Sequence, residues 1–260
     1  MLEVNKVYQG DCLELMRSIP DKSIDMVITS PPYNVGMPYG SDDRRNYSDY
    51  LNYMKEVLGE CYRVLVSGGR IGINLPSTIM QSTKSRPAYL SLDFVLFMRE
   101  IGFLEREWIC WIKMKGGGIP GKSTSWGSWR SPSMPYLRDA SEFIIIMDKE
   151  THKKVGDKTK IDITAEEFLQ FTTNCWYMIP ETNRWHPAPF PEELPYRLIK
   201  LYTYQEDIIL DPFVGWGTTC VVAKKLNRQY IGIDNNPEYC RMATIRLANE
   251  TNLFKEVNNE

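Results

Sequence analysis

The chain has 260 residues, 43% hydrophobic and 25% charged, enough to bury one full core with an insertion. A formal net charge of -2 excludes a whole-protein basic field, so any nucleic-acid surface must be local. No run of about 18 apolar residues occurs, so no membrane span is expected, and the Met1-Leu2-Glu3-Val4 start lacks the regions of a signal peptide, which points to a cytoplasmic protein.

In chain order, Cys12 to Ile19 has apolar residues at helical spacing and is stopped by Pro20. Asp25 to Thr29 is a short buried strand ending at Ser-Pro-Pro. Tyr47 to Val66 is an amphipathic helix with Leu51, Met54, Val57, Leu58, Cys61 and Leu65 on one face. Gly68-Gly69 ends it, and Arg70 to Asn74 is the next strand. Leu90 to Ile101 is a helix closed by Gly102, and Trp108–Ile112 and Glu142–Met147 are strands. The polar, basic Thr151–Lys160 stretch reads as a surface loop. Then follow a helix over Leu194–Tyr202, a strand Ile208–Asp211, a helix Thr218–Leu226, a strand Gln229–Asp234, a helix Pro237–Glu250 and a frayed tail Asn252–Glu260. Such alternation predicts an α/β fold with a mainly parallel sheet. Cys12, Cys61, Cys110, Cys175, Cys220 and Cys240 are widely spaced with no C-x-x-C pair, so buried free thiols and no metal site are expected.

Two turns carry chemistry. Asp211-Pro-Phe-Val-Gly-Trp-Gly-Thr-Thr219 joins a strand to a helix, and Gly215 and Gly217 let its backbone turn sharply against a ligand. Asp234 closes the following strand, where a carboxylate suits a pair of ribose hydroxyls. The third glycine of a dinucleotide fingerprint and the lysine of a P-loop are both missing. At the other turn, Thr29-Ser-Pro-Pro-Tyr33, the two prolines remove backbone donors and stiffen a turn that presents carbonyl oxygens. Ser30 Oγ and the Pro31 carbonyl can accept hydrogen bonds from an exocyclic amine and localise its lone pair, Pro32 stiffens the turn, and Tyr33 can stack on a base.

D-P-F-x-G-x-G-T-T together with S-P-P-Y resembles the β-class amino DNA methyltransferases, the N4-cytosine and N6-adenine family of restriction-modification systems, over nearly the whole chain. Trp216 departs from the small residue usual in that family. His186-Pro-Ala-Pro-Phe-Pro191 resembles the segment before the cofactor motif. The resemblance implies a Rossmann-like methyltransferase fold, circularly permuted, with a mainly parallel seven-stranded sheet and a small target-recognition insertion. It implies S-adenosyl-L-methionine as cofactor, held by Asp211, Phe213, Gly215, Gly217, Thr218 and Asp234. Asp11, in Gly10-Asp11-Cys-Leu-Glu14, is either a contact to the cofactor's adenine or a helix N-cap. Serine at the first position of S-P-P-Y favours cytosine N4 over adenine N6, with the base flipped out of duplex DNA. Methylation of RNA guanine or protein glutamine fits less well, because those enzymes usually carry N-P-P-Y. A silent DNA-binding subunit is the reading from another class.

Between Trp108 and Arg138 there are five basic residues and no acidic ones. Lys113, Lys115, Lys122, Trp126, Trp129 and Arg130 are therefore candidate contacts to double-stranded DNA, with Arg44 and Arg45 as a second set. Arg138 and Glu142 are a candidate structural ion pair. The expected layout is a catalytic half at 1–150 with a DNA-contact loop near 114–138, a recognition insertion at 151–183, a cofactor-binding half at 184–252, and the tail. A cognate restriction endonuclease and a homodimer are the further partners implied.

Overall fold

The computed structural model describes residues 2–35, 45–79, 88–113, 140–181 and 189–250. One sheet contains β1 (Lys6–Gln9), β2 (Ile24–Thr29), β3 (Leu65–Leu75), β4 (Phe103–Lys113), β5 (Ser141–Lys149), β6 (Cys175–Met178), β7 (Ile208–Asp211) and β8 (Gln229–Asp234). The spatial order is β1-β8-β7-β2-β3-β5-β4-β6. Only β5 runs antiparallel to its neighbours, β3 and β4. The expected mainly parallel α/β sheet is present, with eight strands rather than seven. The strands not foreseen are β1 and β6, four residues each, too short and mixed in polarity to stand out as apolar runs.

On one face lie α1 (Cys12–Met16), α2 (Tyr47–Val64) and α3 (Leu90–Ile101); on the other lie α5 (Glu193–Tyr202), α6 (Thr218–Lys225) and α7 (Pro237–Asn249). The central strand β2 feeds both cores, because successive side chains point to opposite faces. Val27 packs with α2 and α3, while Met26 and Ile28 pack with α5 and α6. α2 begins at Asn46, whose side chain accepts a hydrogen bond from Ser48 N at 3.0 Å. Its buried stripe is Tyr50, Met54, Val57, Leu58, Cys61 and Val64. Each such fully buried apolar side chain contributes roughly 1.5–3 kcal/mol.

Residues 151–181 are bound closely to the main body. α4 (Ala165–Phe171) starts with a capping box in which Thr164 and Glu167 satisfy each other's backbone N–H. Trp176 is fully buried, and Tyr196 on α5 donates to Glu167 at 2.5 Å. The Arg228 guanidinium, with no exposed side-chain surface, pairs with Asp162 at 2.6 Å. The expected surface loop at Thr151–Lys160 is mostly irregular, but Lys154 turns inward, 5% exposed, between Asp25 and Asp207. Two carboxylates there offset the cost of removing an ammonium from water. Free thiols are found, but not all are buried: Cys175 is exposed and Cys110 half-buried. On edge strand β6, Cys175 faces out, whereas Trp176 and Met178 point into the core.

Candidate active site

The chain winds outward in opposite directions from β7 and β2, so their carboxyl ends diverge and leave a crevice. Gly10 and Asp11 after β1, Ser30 to Asn34 after β2, Pro212 to Trp216 after β7 and Asp234 ending β8 all line one open cleft of about 1180 Å³. The two sequence turns, 182 residues apart at Thr29 and Asp211, are joined directly: Thr29 Oγ1 donates to Asp211 Oδ1 at 2.7 Å.

Asp211 is therefore a joint rather than a cofactor contact. Its carboxylate also accepts from Thr219 Oγ1 at 2.6 Å and Phe213 N at 3.1 Å, and it is 1% exposed. Burial pushes its pKa up to about 6. Gly217 is likewise set back from the cleft. Its φ is +94°, and a Cβ there would stand 2.8 Å from Ala243 Cβ, so the absence of a side chain lets α7 approach the turn. Phe213, Gly215 and Thr218 do line the cleft.

Asp234 accepts from Gly215 N and Asn236 N, each at 2.9 Å. Burial raises its pKa, and the two N–H groups oppose that shift. Both oxygens retain lone pairs for hydroxyl donors. Asp11 caps α1 through Leu13 N at 2.8 Å, accepts from Tyr53 OH at 3.3 Å, and lines the cleft as well. Its two sequence readings are compatible. Trp216 is accommodated by Arg246, whose guanidinium lies 3.8 Å from the centre of the indole and donates to Trp216 O at 3.1 Å.

The Ser-Pro-Pro-Tyr turn is braced from below. Ser30 Oγ and Tyr33 OH are 2.7 Å apart. Asn74 Nδ2 donates to Tyr33 OH at 3.0 Å and to Glu142 Oε2 at 2.5 Å. Tyr33 OH lies 3.3 Å from Glu142 Oε2. Pro32 O accepts from Tyr50 OH at 2.8 Å, which fixes the turn to α2. Asn74 and Glu142 were not singled out as functional residues in the sequence. A polar residue at the carboxyl end of an apolar strand, as Asn74 is in β3, was the available signal.

Among the expected DNA contacts, Lys113 forms an ion pair with Glu142 instead of standing free for phosphate. Arg138, the expected partner of Glu142, lies outside the described residues, as do Arg44, Lys115, Lys122, Trp126, Trp129, Arg130 and His186. Arg45 is brought to the cleft, its guanidinium 4.5 Å from the centre of the Tyr53 ring. Its backbone is held by Asn34, which accepts from Arg45 N at 2.7 Å and donates to Arg45 O at 3.0 Å.

An α/β sheet whose glycine turn, ribose-type carboxylate and proline-stiffened acceptor turn meet at the switch point defines a nucleoside-dependent group-transfer enzyme. The DNA methylase family model matches residues 24–245, and the chain belongs to that family. It is 31% identical to the type II methyltransferase M.BglII of Bacillus subtilis, over 95% of this chain and 70% of that protein. It is 29% identical to the DNA adenine methyltransferase YhdJ of Escherichia coli K12, over 94% and 83%. Among solved structures, the DNA modification methylase TTHA0409 of Thermus thermophilus, crystallised with S-adenosyl-L-methionine, superposes with a TM-score of 0.76 at 27% identity, covering 94% of this chain and 93% of that one. The cytosine-N4-specific PvuII DNA methyltransferase shares the fold, with a TM-score of 0.72 at 23% identity over 99% and 95%. The chain is thus a DNA methyltransferase of the N4/N6 amino class, and its sheet is the permuted Rossmann-like methyltransferase sheet.

Proposed function

We infer that this enzyme methylates the exocyclic N4 amine of cytosine in duplex DNA, as the modification half of a restriction-modification system. The observation that carries the reading is the meeting of Ser30–Tyr33 and Pro212–Trp216 in one cleft. S-adenosyl-L-methionine is the donor that fits this cleft, and when bound it supplies an electrophilic methyl group. Asp234 would hold its ribose, Asp11 its adenine, and the 213–218 turn its methionine end. The flipped base would lie against Tyr33, with its amine hydrogens directed to Ser30 Oγ and Pro31 O. Those acceptors draw the nitrogen toward tetrahedral geometry and return its lone pair from the ring. The remaining barrier is mostly alignment of the amine with the methyl group. Serine at position 30 supports cytosine as the target.

Residues 114–138, with Arg44 and Arg45, are the proposed DNA-contact region. The 151–183 segment, inserted between the catalytic and cofactor-binding halves, is the proposed recognition element. A restriction endonuclease of the same specificity and a second copy of this chain are the proposed partners. Adenine N6 is the alternative reading, favoured by the 29% identity to an adenine methyltransferase. Incubation with methyl-labelled donor and mixed-sequence DNA, then mass spectrometry of the nucleosides, separates the readings. N4-methylcytosine is expected, N6-methyladenine would replace it with the alternative, and unlabelled DNA would remove both.

A further inference from the structure

Ser30 serves as an acceptor only if its own hydrogen points away from the cleft, and the side chains beneath it decide that direction. Glu142, half-buried at the start of β5, is paired with the Lys113 ammonium through Oε1, an arrangement that favours the ionised form. A carboxylate only accepts hydrogen bonds. Its other oxygen receives the Asn74 amide and faces Tyr33 OH. Tyr33 has one hydroxyl hydrogen. With that hydrogen drawn to Glu142, the phenol oxygen accepts from Asn74 Nδ2 and from Ser30 Oγ. The other inward acceptor for Ser30 is Asn74 O at 3.4 Å, which orients the hydroxyl the same way.

We propose that Glu142 is a positioning residue: acting through Tyr33, it turns the Ser30 hydroxyl inward so that its lone pairs face the target amine. The inference rests on the assignment of Ser30 as amine acceptor. In Glu142→Gln the amide must set its NH₂ group against either Lys113 or the Asn74 amide. The charge that orders the chain is gone, and Tyr33 is free to donate to Ser30, which would then present a hydrogen to a group that also donates.

The test compares wild type, Glu142→Gln, Tyr33→Phe and the double variant. It measures single-turnover methylation of DNA, calorimetric binding of S-adenosyl-L-methionine and thermal melting. Glu142→Gln should slow methyl transfer by at least about 10-fold while donor affinity stays within about 2-fold, as expected when one charge-assisted contact is lost. The double variant should be no slower than Tyr33→Phe, since both act along one path. A wild-type rate in Glu142→Gln, or rate losses that multiply in the double variant, would overturn the proposal. If Glu142→Gln melts below the assay temperature, Tyr33→Phe decides alone: undiminished transfer sinks the idea. A wild type that leaves no methyl group on an exocyclic amine overturns the parent reading, and this inference with it. A wild type that does so while the variants keep pace overturns only the inference.

Discussion

Replacing Asp211 with asparagine should make the protein more stable at neutral pH and less stable in acid. The carboxyl has an ordinary pKa of 3.8, and burial pushes it up to about 6. At about 1.4 kcal/mol per unit, holding it ionised in the folded state costs about 3 kcal/mol. The pKa is raised, so the native state binds more protons than the unfolded chain between those two values. Its contribution to stability is then fully present below the unfolded pKa and lost as pH rises through the folded one. Asparagine carries no charge and keeps one oxygen for Thr29 and Phe213, but it turns an NH₂ toward Thr219, costing about 1 kcal/mol. The variant should be less stable than wild type by about 1 kcal/mol near pH 4 and more stable by about 2 kcal/mol near pH 7.5. Urea unfolding of both proteins across that range measures the difference, which should rise with pH and level off above the folded pKa. A difference that is flat or falls with pH would refute the view of Asp211 as a buried ionised joint.

Asp234→Ala removes the acceptor of two backbone N–H groups and the proposed ribose contact, so donor binding should weaken by at least about 10-fold, read by calorimetry. Gly217→Ala places a methyl 2.8 Å from Ala243 Cβ at a φ of +94° and should destabilise by about 1–3 kcal/mol in denaturant melts. An exposed-thiol reagent should modify Cys175 first in the native protein, with Cys12, Cys61, Cys220 and Cys240 reacting only on unfolding; mass spectrometry of the labelled peptides would show a different order if the edge position of β6 were wrong.

Both ends of the chemistry were legible as sequence because each depends on local backbone. Proline pairs and spaced glycines shape their turns wherever they stand, so S-P-P-Y and D-P-F-V-G-W-G-T-T announced themselves, and helical periodicity located α2, α3, α5, α6 and α7 within a few residues. α4 also has a local signal, Thr164 three residues before Glu167, although its helix is short and amounts to only two turns. Other features were not local. β1 and β6 are strands because neighbours supply their hydrogen bonds, β8 to the first and β4 to the second. The role of Asp211 was misplaced because its partner Thr29 is remote in the chain. Lys113 looked like a phosphate contact until the β-sheet set Glu142 beside it. Sequence by itself determined the turns, the helices and the chemical class they imply, since those follow from torsional limits and side-chain spacing within a few residues. Only the tertiary structure decided which charges are neutralised, which carboxylate is buried and what lies beneath Ser30, because burial and ion pairing arise from contacts between segments that the chain separates.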